Sequence, residues 1–304
     1  MAKISVSKAK TYGNCKLQFK YTYVPGFKFK PITPKPATDI VKGLVLHQTF
    51  ESLLKYENYQ GGVAGKCYRK ADEATTLTLL KEAMENPKNK LSIEDAVNYR
   101  IKLGVKRWLS FKKDYLDPRG NTLYAEKEYN KDLFTDMATT GILDLIEDEG
   151  NGHYVIYDYK TAQKTGVSYY EKQLAIYAYM VALDKGFIEV GSTDWQTVAE
   201  HFSCYIFFPL AEGDHEDYKD SLKPIKFTAE KVEKAITWLR ECYDGSNSFN
   251  WNVGAASLFP SKPSRLCEWC AYYGAQPQPE IGFEGCPLSC FRGAPASTKY
   301  YKVD

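Results

Sequence analysis

The chain has 304 residues, with 40 lysines and arginines against 38 acidic residues, and 44% of its residues are hydrophobic. This length accommodates one large domain or two modest ones with a sizeable core, and a charged fraction of 26% excludes wholesale disorder. Apolar runs such as Cys204–Leu210 are too short to cross a bilayer. Residues 1–10 lack the apolar core of a signal peptide, so we expect a cytoplasmic protein with no membrane contact.

The eight cysteines need an explanation other than disulfides. The cytoplasm keeps thiols reduced, so a disulfide framework is not expected there. Four of the eight lie after residue 245, in a proline-rich stretch with too little apolar periodicity to fold by burial alone. A bound metal is therefore the first explanation for some of these thiols.

The balanced net charge of +2 hides an asymmetry along the chain. Residues 1–38 contain eight lysines and no acid, which leaves 32 basic and 38 acidic residues, or a net charge of −6, for the remainder. The same segment carries six aromatic residues: Tyr12, Phe19, Tyr21, Tyr23, Phe27 and Phe29. Lysines neutralise phosphates and aromatic faces stack on unpaired bases, so one interpretation is a nucleic-acid surface. The alternative is a solvated basic edge whose aromatic rings pack inward.

The N-terminal part of the chain is predicted to be largely helical. Residues 1–24 indicate a short helix or turn followed by a strand-like aromatic stretch, and apolar spacing predicts a helix over Asp39–Tyr56. Residues 72–116 alternate apolar and charged positions at helical period, with breaks near residues 86–89 and Gly104. We interpret this region as a polar, mostly helical insertion.

The central part of the chain changes to an alternation of strands and helices, which predicts an α/β core. The elements are strands at 123–130, 139–147 and 153–161, a helix at 168–183, a strand at 201–209 and a helix at 229–243. The resulting division has five segments: 1–38 (basic, with one cluster cysteine), 39–59 (helix), 60–120 (helical insertion), 121–244 (core) and 245–304 (cysteine- and proline-rich).

Two acidic residues and a lysine lie on the two strands that flank the turn at Asp148–Gly152. Asp158 and Lys160 are two apart on one strand and therefore point to the same face. If the strands pair through the turn, Asp144 lies beside Asp158. Two adjacent carboxylates repel unless a cation lies between them, which is how a Mg²⁺ site is built. The alternative is a salt-bridged hairpin face in which Lys160 only neutralises Asp158.

Four short motifs occur in a defined order: Gly43-Leu-Val-Leu-His47, Gly141-Ile-Leu-Asp144, Asp158-Tyr-Lys-Thr161 and Gln173-Leu-Ala-Ile-Tyr177. In this order and spacing they resemble the PD-(D/E)XK nuclease superfamily, and more closely its RecB-like branch. The first motif has one more residue between its glycine and histidine than the tightest form of the branch. The resemblance implies a restriction-endonuclease-like fold, in which helices flank a central mixed sheet.

The resemblance also implies roles for these residues. His47, Asp144, Asp158 and the backbone carbonyl of Tyr159 would bind Mg²⁺ or Mn²⁺, while Lys160 would orient the attacking water; Asp144 and Asp158 count with Lys160 as catalytic residues. Gln173 and Tyr177 would position the substrate. The roles of three further acids are undecided. Glu51 could contact the metal ligands without binding the metal itself, and Glu126 or Glu128 could be an additional ligand.

The late cysteines form a second motif, Cys267-Glu-Trp-Cys270 followed by Cys286 and Cys290. A zinc ribbon is one interpretation. A subset of RecB-like nucleases, the AddB-type and some CRISPR-associated ones, carries a 4Fe–4S cluster held by one early and three late cysteines, which here would be Cys15, Cys267, Cys270 and Cys286. Fifteen residues separate Cys270 from Cys286, a longer gap than in that subset. The last ligand is therefore open between Cys286 and Cys290, with Cys286 preferred because proline follows it. Such a cluster would staple the N- and C-terminal regions together.

The leading hypothesis is a metal-dependent DNA nuclease acting on single strands or DNA ends, as an exonuclease whose helical insertion over 60–120 arches over the site. Partners would be DNA and recombination or repair proteins, in the cytoplasm of a bacterium or a phage-infected cell. Two alternatives remain: a non-catalytic component that binds DNA ends, and a zinc-stapled interaction protein.

Overall fold

A computed structural model describes residues 2–31, 38–57, 71–86, 99–162, 166–258, 267, 270–272, 275–286 and 300–303. The chain divides into two compact units. The sheet unit comprises Met1–Lys3 and Ala37–Thr237, and the cysteine unit comprises Ile4–Pro36 and Trp238–Asp304. No helix in the described ranges has both the length and the apolar character needed to cross a membrane.

The strands form one mixed sheet and one two-stranded ribbon. In chain order they are β1 Ala2–Ser5, β2 Lys28–Pro31, β3 Thr122–Phe134, β4 Met137–Asp148, β5 Tyr154–Tyr159, β6 Phe202–Phe207, β7 Leu222–Ile225 and β8 Tyr300–Val303. The six-stranded sheet has the order β1-β4-β5-β6-β7, and β3 also pairs with β4. β5 and β6 are parallel, whereas β3–β4, β4–β5 and β6–β7 are antiparallel. The ribbon pairs β2 with β8.

Helices of the sheet unit pack against the large sheet and bury its aromatic core. Among the described residues, the helices of eight or more residues in either unit are α1 Val6–Asn14, α2 Lys16–Tyr23, α3 Thr38–Glu57, α4 Glu73–Glu85, α5 Tyr99–Phe111, α6 Glu171–Asp184 and α7 Ala229–Ser248. Phe50 of α3 stacks on Trp108 of α5, and Phe111 of α5 stacks on Phe207 of β6. The predicted α/β fold, a mixed sheet flanked by helices, is confirmed.

The described part of the predicted helical insertion is helical, as α4 and α5, and both helices also contribute side chains to the main core. Ile101, Val105 and Trp108 are all buried. The predicted break at Gly104 is wrong, since α5 continues through it. A Cβ atom at Gly104 would lie 3.2 Å from Leu210, so glycine allows a close approach there instead of ending the helix. Residues 60–70 and 87–98 of the predicted insertion lie outside the described residues.

The predicted strand-like aromatic stretch before residue 24 is instead α2. The sulfur of Cys15 accepts a hydrogen bond from the backbone N–H of Gln18 at 3.4 Å and caps this helix. Leu17 and Tyr21, four residues apart, then lie on the same helix face and are buried. The four-residue spacing of Leu17 and Tyr21 therefore indicates a helix here, and the aromatic composition alone does not indicate a strand.

The basic N-terminal segment is partly internal to the cysteine unit. Phe19, Tyr21 and Phe29 are buried. The Lys20 side chain is buried as well; its ammonium donates to the carbonyl of Val253 at 2.9 Å and lies 3.6 Å from a carboxylate oxygen of Glu284. The inward-packing interpretation therefore holds for half of the six aromatic residues, and any nucleic-acid surface on this segment would rest on the others.

Candidate active site

The candidate active site lies where β4 and β5 separate. The paired register ends at Leu145 opposite Tyr157, and one step further it would place Asp144 opposite Asp158. The Asp144 carboxylate instead accepts a hydrogen bond from the backbone N–H of Tyr159, with an N–O distance of 2.6 Å. The side chain of Asp144 thus takes the place of a strand partner, and both carboxylates lie at the fork between the two strands.

His47 of α3 lies against this fork and joins it to β3. Its Nδ1 is 3.3 Å from Asp144 Oδ1 and 3.5 Å from Glu126 Oε1, and its Nε2 is 3.2 Å from the carbonyl oxygen of Tyr159. Burial alone would lower the pKa of His47, but Asp144 and Glu126 raise it to about 10. For Asp144, burial alone would raise the pKa. His47, followed by Lys160 and the backbone N–H of Tyr159, lowers it, and the net shift of the Asp144 pKa is downward.

Of the two acids that the sequence left open on the preceding strand, Glu126 is the one that lies near His47 and Asp144. It lies between the paired positions Ala125 and Lys127, opposite Asp144, whereas Glu128 is exposed. Glu126 is also the one non-glycine residue with positive φ, at 47°, in the described ranges. This strained backbone turns its carboxylate toward His47, and such strain concentrates at functional sites.

Lys160 lies beside Asp158 on the continuation of β5. Its Nζ is 2.5 Å from Asp158 Oδ2, and its backbone N–H donates to the carbonyl of Phe207 at 2.9 Å. Burial would lower the pKa of Lys160, but Asp158 and Asp144 raise it overall. Lys160 therefore carries its positive charge into an otherwise acidic pocket.

Gln173 and Tyr177 of α6 complete the fork on its other side. The Gln173 amide donates to Asp158 Oδ1 at 3.0 Å and to the Tyr177 hydroxyl at 3.2 Å. The Tyr177 ring packs on Gly141 so closely that a Cβ atom at this glycine would lie 2.6 Å from the ring. The glycine of the β4 motif therefore leaves the space that the tyrosine ring of the α6 motif occupies.

A second motif glycine has an equivalent role on α3. A Cβ atom at Gly43 would lie 3.2 Å from the hydroxyl oxygen of Thr161, the residue after Lys160. The absence of a side chain at Gly43 lets the helix that carries His47 lie close to the end of β5. The close packing of α3 on the end of β5 therefore has a direct steric basis.

The donor set at the fork fits a hard divalent cation. One nitrogen of His47 and carboxylate oxygens of Glu126 and Asp144 lie within 4.8 Å of one another. Two buried oxygens, Glu126 Oε1 and Asp158 Oδ2, accept no well-aligned hydrogen bond and have only ion pairs, with His47 and Lys160 respectively. Carboxylate and carbonyl oxygens are the ligands that Mg²⁺ and Mn²⁺ prefer, so these oxygens suit a divalent cation.

The surroundings of the fork include residues that the sequence patterns did not single out. Lys160 Nζ lies 5.4 Å from the centre of the Tyr170 ring, and no spacing signal marked this tyrosine. Glu51 forms an ion pair with Lys55 one helical turn on and is not among the three grouped donors.

The sequence matches the family model of the PD-(D/E)XK nuclease superfamily over residues 3–275. The chain therefore belongs to the PD-(D/E)XK nuclease superfamily. No curated protein gives a significant match to the sequence. Members of this superfamily are generally metal-dependent nucleases, and DNA is the substrate that membership implies.

The predicted cluster cysteines all belong to the cysteine unit. The backbone N–H of Cys270 donates to the carbonyl of Cys267 at 3.1 Å, and that of Cys286 donates to Ala275 at 3.0 Å. Burial raises the pKa of Cys270 to about 12, with smaller contributions from the thiols of Cys15, Cys286 and Cys267.

These cysteines do not form a compact ligand set. Within the described residues, no three cysteine sulfurs lie within 4.8 Å of one another. Cys290 and Cys67 lie outside the described residues, while Cys204 and Cys242 are buried thiols.

Proposed function

We propose that the protein is a Mg²⁺- or Mn²⁺-dependent deoxyribonuclease that hydrolyses phosphodiester bonds in single strands or at DNA ends. The observation that carries this proposal is the fork of β4 and β5, where Asp144, Asp158 and Lys160 converge beside His47. A salt-bridged hairpin without chemistry would need only Asp158 and Lys160, and not the histidine and the second and third acids that converge there.

The metal would be held by His47, Asp144, Asp158 and the carbonyl of Tyr159, with Glu126 as a further carboxylate ligand. When bound, it would neutralise charge on the phosphate and make a coordinated water more acidic. Glu126 joins the set because its Oε1 lies 3.5 Å from His47 Nδ1 and accepts no well-aligned hydrogen bond.

The remaining polar residues act on the water and the phosphate directly. Lys160, held by Asp158 at 2.5 Å, donates to the attacking water and stabilises the charge that develops on the phosphate oxygens. Gln173 fixes the orientation of Asp158 through their 3.0 Å hydrogen bond. The Tyr177 hydroxyl, joined to the same amide, adds a polar group for the substrate backbone.

We further propose that Cys15, Cys267, Cys270 and Cys286 hold a structural 4Fe–4S cluster, as in the iron–sulfur subset of the RecB-like branch. The proposal rests on the resemblance and on the one unit that these four cysteines share. Iron ligation requires reduced thiols, which is consistent with a cytoplasmic protein. Zinc is the alternative occupant, and anaerobic purification with metal analysis separates the two.

The nuclease proposal is tested by digestion of matched single-stranded DNA substrates, one linear and end-labelled and the other covalently closed, with Mg²⁺, Mn²⁺ or EDTA. We expect metal-dependent cleavage of the linear strand and resistance of the circle. Equal cleavage of both forms would contradict the end-dependent part and leave an endonuclease. No cleavage of any DNA, together with retained binding, would instead support a non-catalytic DNA-end-binding component of a recombination or repair complex.

A further inference from the structure

Two adjacent tyrosines precede α6 and lie beside the fork. Tyr169 is 56% exposed, one of the most exposed large apolar side chains among the described residues. Its ring meets the Tyr170 ring edge to face, with centroids 5.3 Å apart. The backbone N–H of Tyr170 donates to the carbonyl of Val167 at 2.9 Å, so the pair sits on a hydrogen-bonded turn.

Tyr170 connects this pair to the reacting groups. Its ring centre is 5.4 Å from Lys160 Nζ on one side, and 6.1 Å from the Phe208 ring on another. The inner tyrosine is thus anchored between the lysine and a buried phenylalanine. The outer tyrosine then extends from this anchor toward solvent.

We infer that the exposed ring of Tyr169, supported edge to face by Tyr170, is a stacking platform for an unpaired base of a nucleotide near the scissile phosphate, so that the substrate class is single-stranded nucleic acid. This inference rests on the proposed nuclease function. Lys160 marks the position of the phosphate, the Tyr170 ring contacts Lys160, and the Tyr169 ring contacts Tyr170 on the solvent side. An aromatic face stacks on any unpaired base. In a duplex, each base is already stacked and paired, so the platform has nothing to bind.

The first test compares Tyr169→Ala, Tyr169→Trp and Tyr99→Ala. Tyr99 of α5 is 58% exposed and serves as the matched control. We expect Tyr169→Ala to raise KM for a single-stranded oligonucleotide about 5- to 100-fold, with a much smaller change in kcat. Tyr169→Trp keeps a stacking face and should retain the wild-type KM, and so should Tyr99→Ala.

A second test removes the base instead of the ring. Oligonucleotides with one abasic site at successive positions keep every phosphate, so only stacking is lost. We expect one position at which the abasic substrate binds wild type more weakly but binds Tyr169→Ala no more weakly than the intact strand, because the two changes remove the same contact. Equal penalties in both proteins at every position would overturn the platform.

Binding measurements in Ca²⁺ separate this inference from the nuclease proposal, because they need no turnover. If wild type cleaves nothing, the nuclease proposal fails, while fluorescence anisotropy with the same oligonucleotides still tests the platform. We expect Tyr169→Ala to weaken single-strand binding and to leave duplex binding unchanged. Equal weakening for single strands and duplexes, or no weakening for either, would overturn the inference.

Discussion

The two units present candidate metal sites built in opposite ways. In the sheet unit, the ligand candidates His47, Glu126 and Asp144 stand on α3, β3 and β4, elements that share a large aromatic core. In the cysteine unit, Cys15 lies between α1 and α2, and of the late cysteines that the structure describes, Cys270 and Cys286 lie outside its helices and strands, in a unit with a smaller core.

The two candidate sites are therefore expected to relate differently to folding. The fold of the sheet unit positions its site, whereas a metal cluster is expected to stabilise the fold of the cysteine unit. The fork of β4 and β5 has its polar side chains fixed by named hydrogen bonds and ion pairs, so a metal there should add chemistry more than structure. The cysteine thiols are not drawn into a compact set, and a cluster there should contribute directly to folding, as structural metals do in small domains.

The largest expected effect comes from Lys160, the proposed catalytic lysine. Lys160→Ala should lower the cleavage rate by about 10²–10³-fold, because charge developing on the phosphate loses its stabilising cation. Mn²⁺ binding should be retained, since both carboxylates remain. The control Lys106→Ala removes an exposed lysine paired with Glu216 and should cleave at the wild-type rate. Steady-state kinetics and Mn²⁺ titration check this; wild-type cleavage by Lys160→Ala would contradict the role assigned to the lysine.

The next effect concerns the cysteine unit. Cys270→Ser should reduce bound iron from about four atoms per chain to nearly none, and limited proteolysis should then cleave the cysteine unit before the sheet unit. Cys242→Ser, at a buried thiol outside the proposed ligand set, should keep its iron. Metal analysis and absorbance of anaerobically purified protein measure both variants. Zinc without iron in the wild type would contradict the cluster and leave a zinc site.

A smaller effect tests the contact between Gly141 and Tyr177. Gly141→Ala places a Cβ atom 2.6 Å from the Tyr177 ring, so the ring and α6 must shift. We expect a loss of about 1–3 kcal/mol in the free energy of unfolding and slower cleavage, because Gln173 moves with the helix. Gly166→Ala is the control, since no atom lies within 4 Å of the added Cβ, and its effect should stay within about 0.5 kcal/mol. Equal stabilities of the two variants in urea would contradict the assigned contact.

The last effect is a pH dependence from His47. Its pKa is raised from 6.5 to about 10 in the folded protein, so the protonated ring stabilises the metal-free protein fully below pH 6.5. That contribution is lost as the pH rises through about 10. In EDTA, His47→Gln should therefore be destabilised relative to wild type at pH 6 and not at pH 10.5, as measured by urea unfolding. A difference independent of pH would contradict the pairing of His47 with Asp144 and Glu126.

Metal binding should show the opposite trend with pH. Coordination needs a neutral imidazole, so the affinity for Mn²⁺ should increase with pH in wild type as the ring loses its proton. His47→Gln should bind Mn²⁺ more weakly and with less pH dependence.

Much of the candidate site could be predicted from the sequence because strand periodicity is simple. Asp158 and Lys160 are two residues apart, and a short turn predicts the position of Asp144 across from them. The choice between Glu126 and Glu128 could not be made in this way, because it depends on a positive φ at Glu126 that no periodicity encodes. The roles of the candidate site residues in binding metal and DNA stay predictions.

The fold was less predictable where a residue packs against residues that are distant in the sequence. Gly104 has the pattern of a helix break, yet it faces Leu210, about a hundred residues later in the chain. The aromatic composition of α2 is typical of a strand. The segment is nevertheless a helix, because the sulfur of Cys15 caps it and one of its faces is buried. Such contacts exist only once the chain is folded.

Cleavage by wild type and Asp158→Ala tests the central claim most directly. Both proteins are incubated with a 5′-labelled single-stranded oligonucleotide in Mg²⁺ and in EDTA, after thermal unfolding has shown that both are folded. We expect wild type to cut the strand in Mg²⁺ and not in EDTA, and Asp158→Ala to cut it in neither. Cleavage by Asp158→Ala at the wild-type rate, or cleavage by wild type that persists in EDTA, would contradict a metal-dependent nuclease site at the fork of β4 and β5.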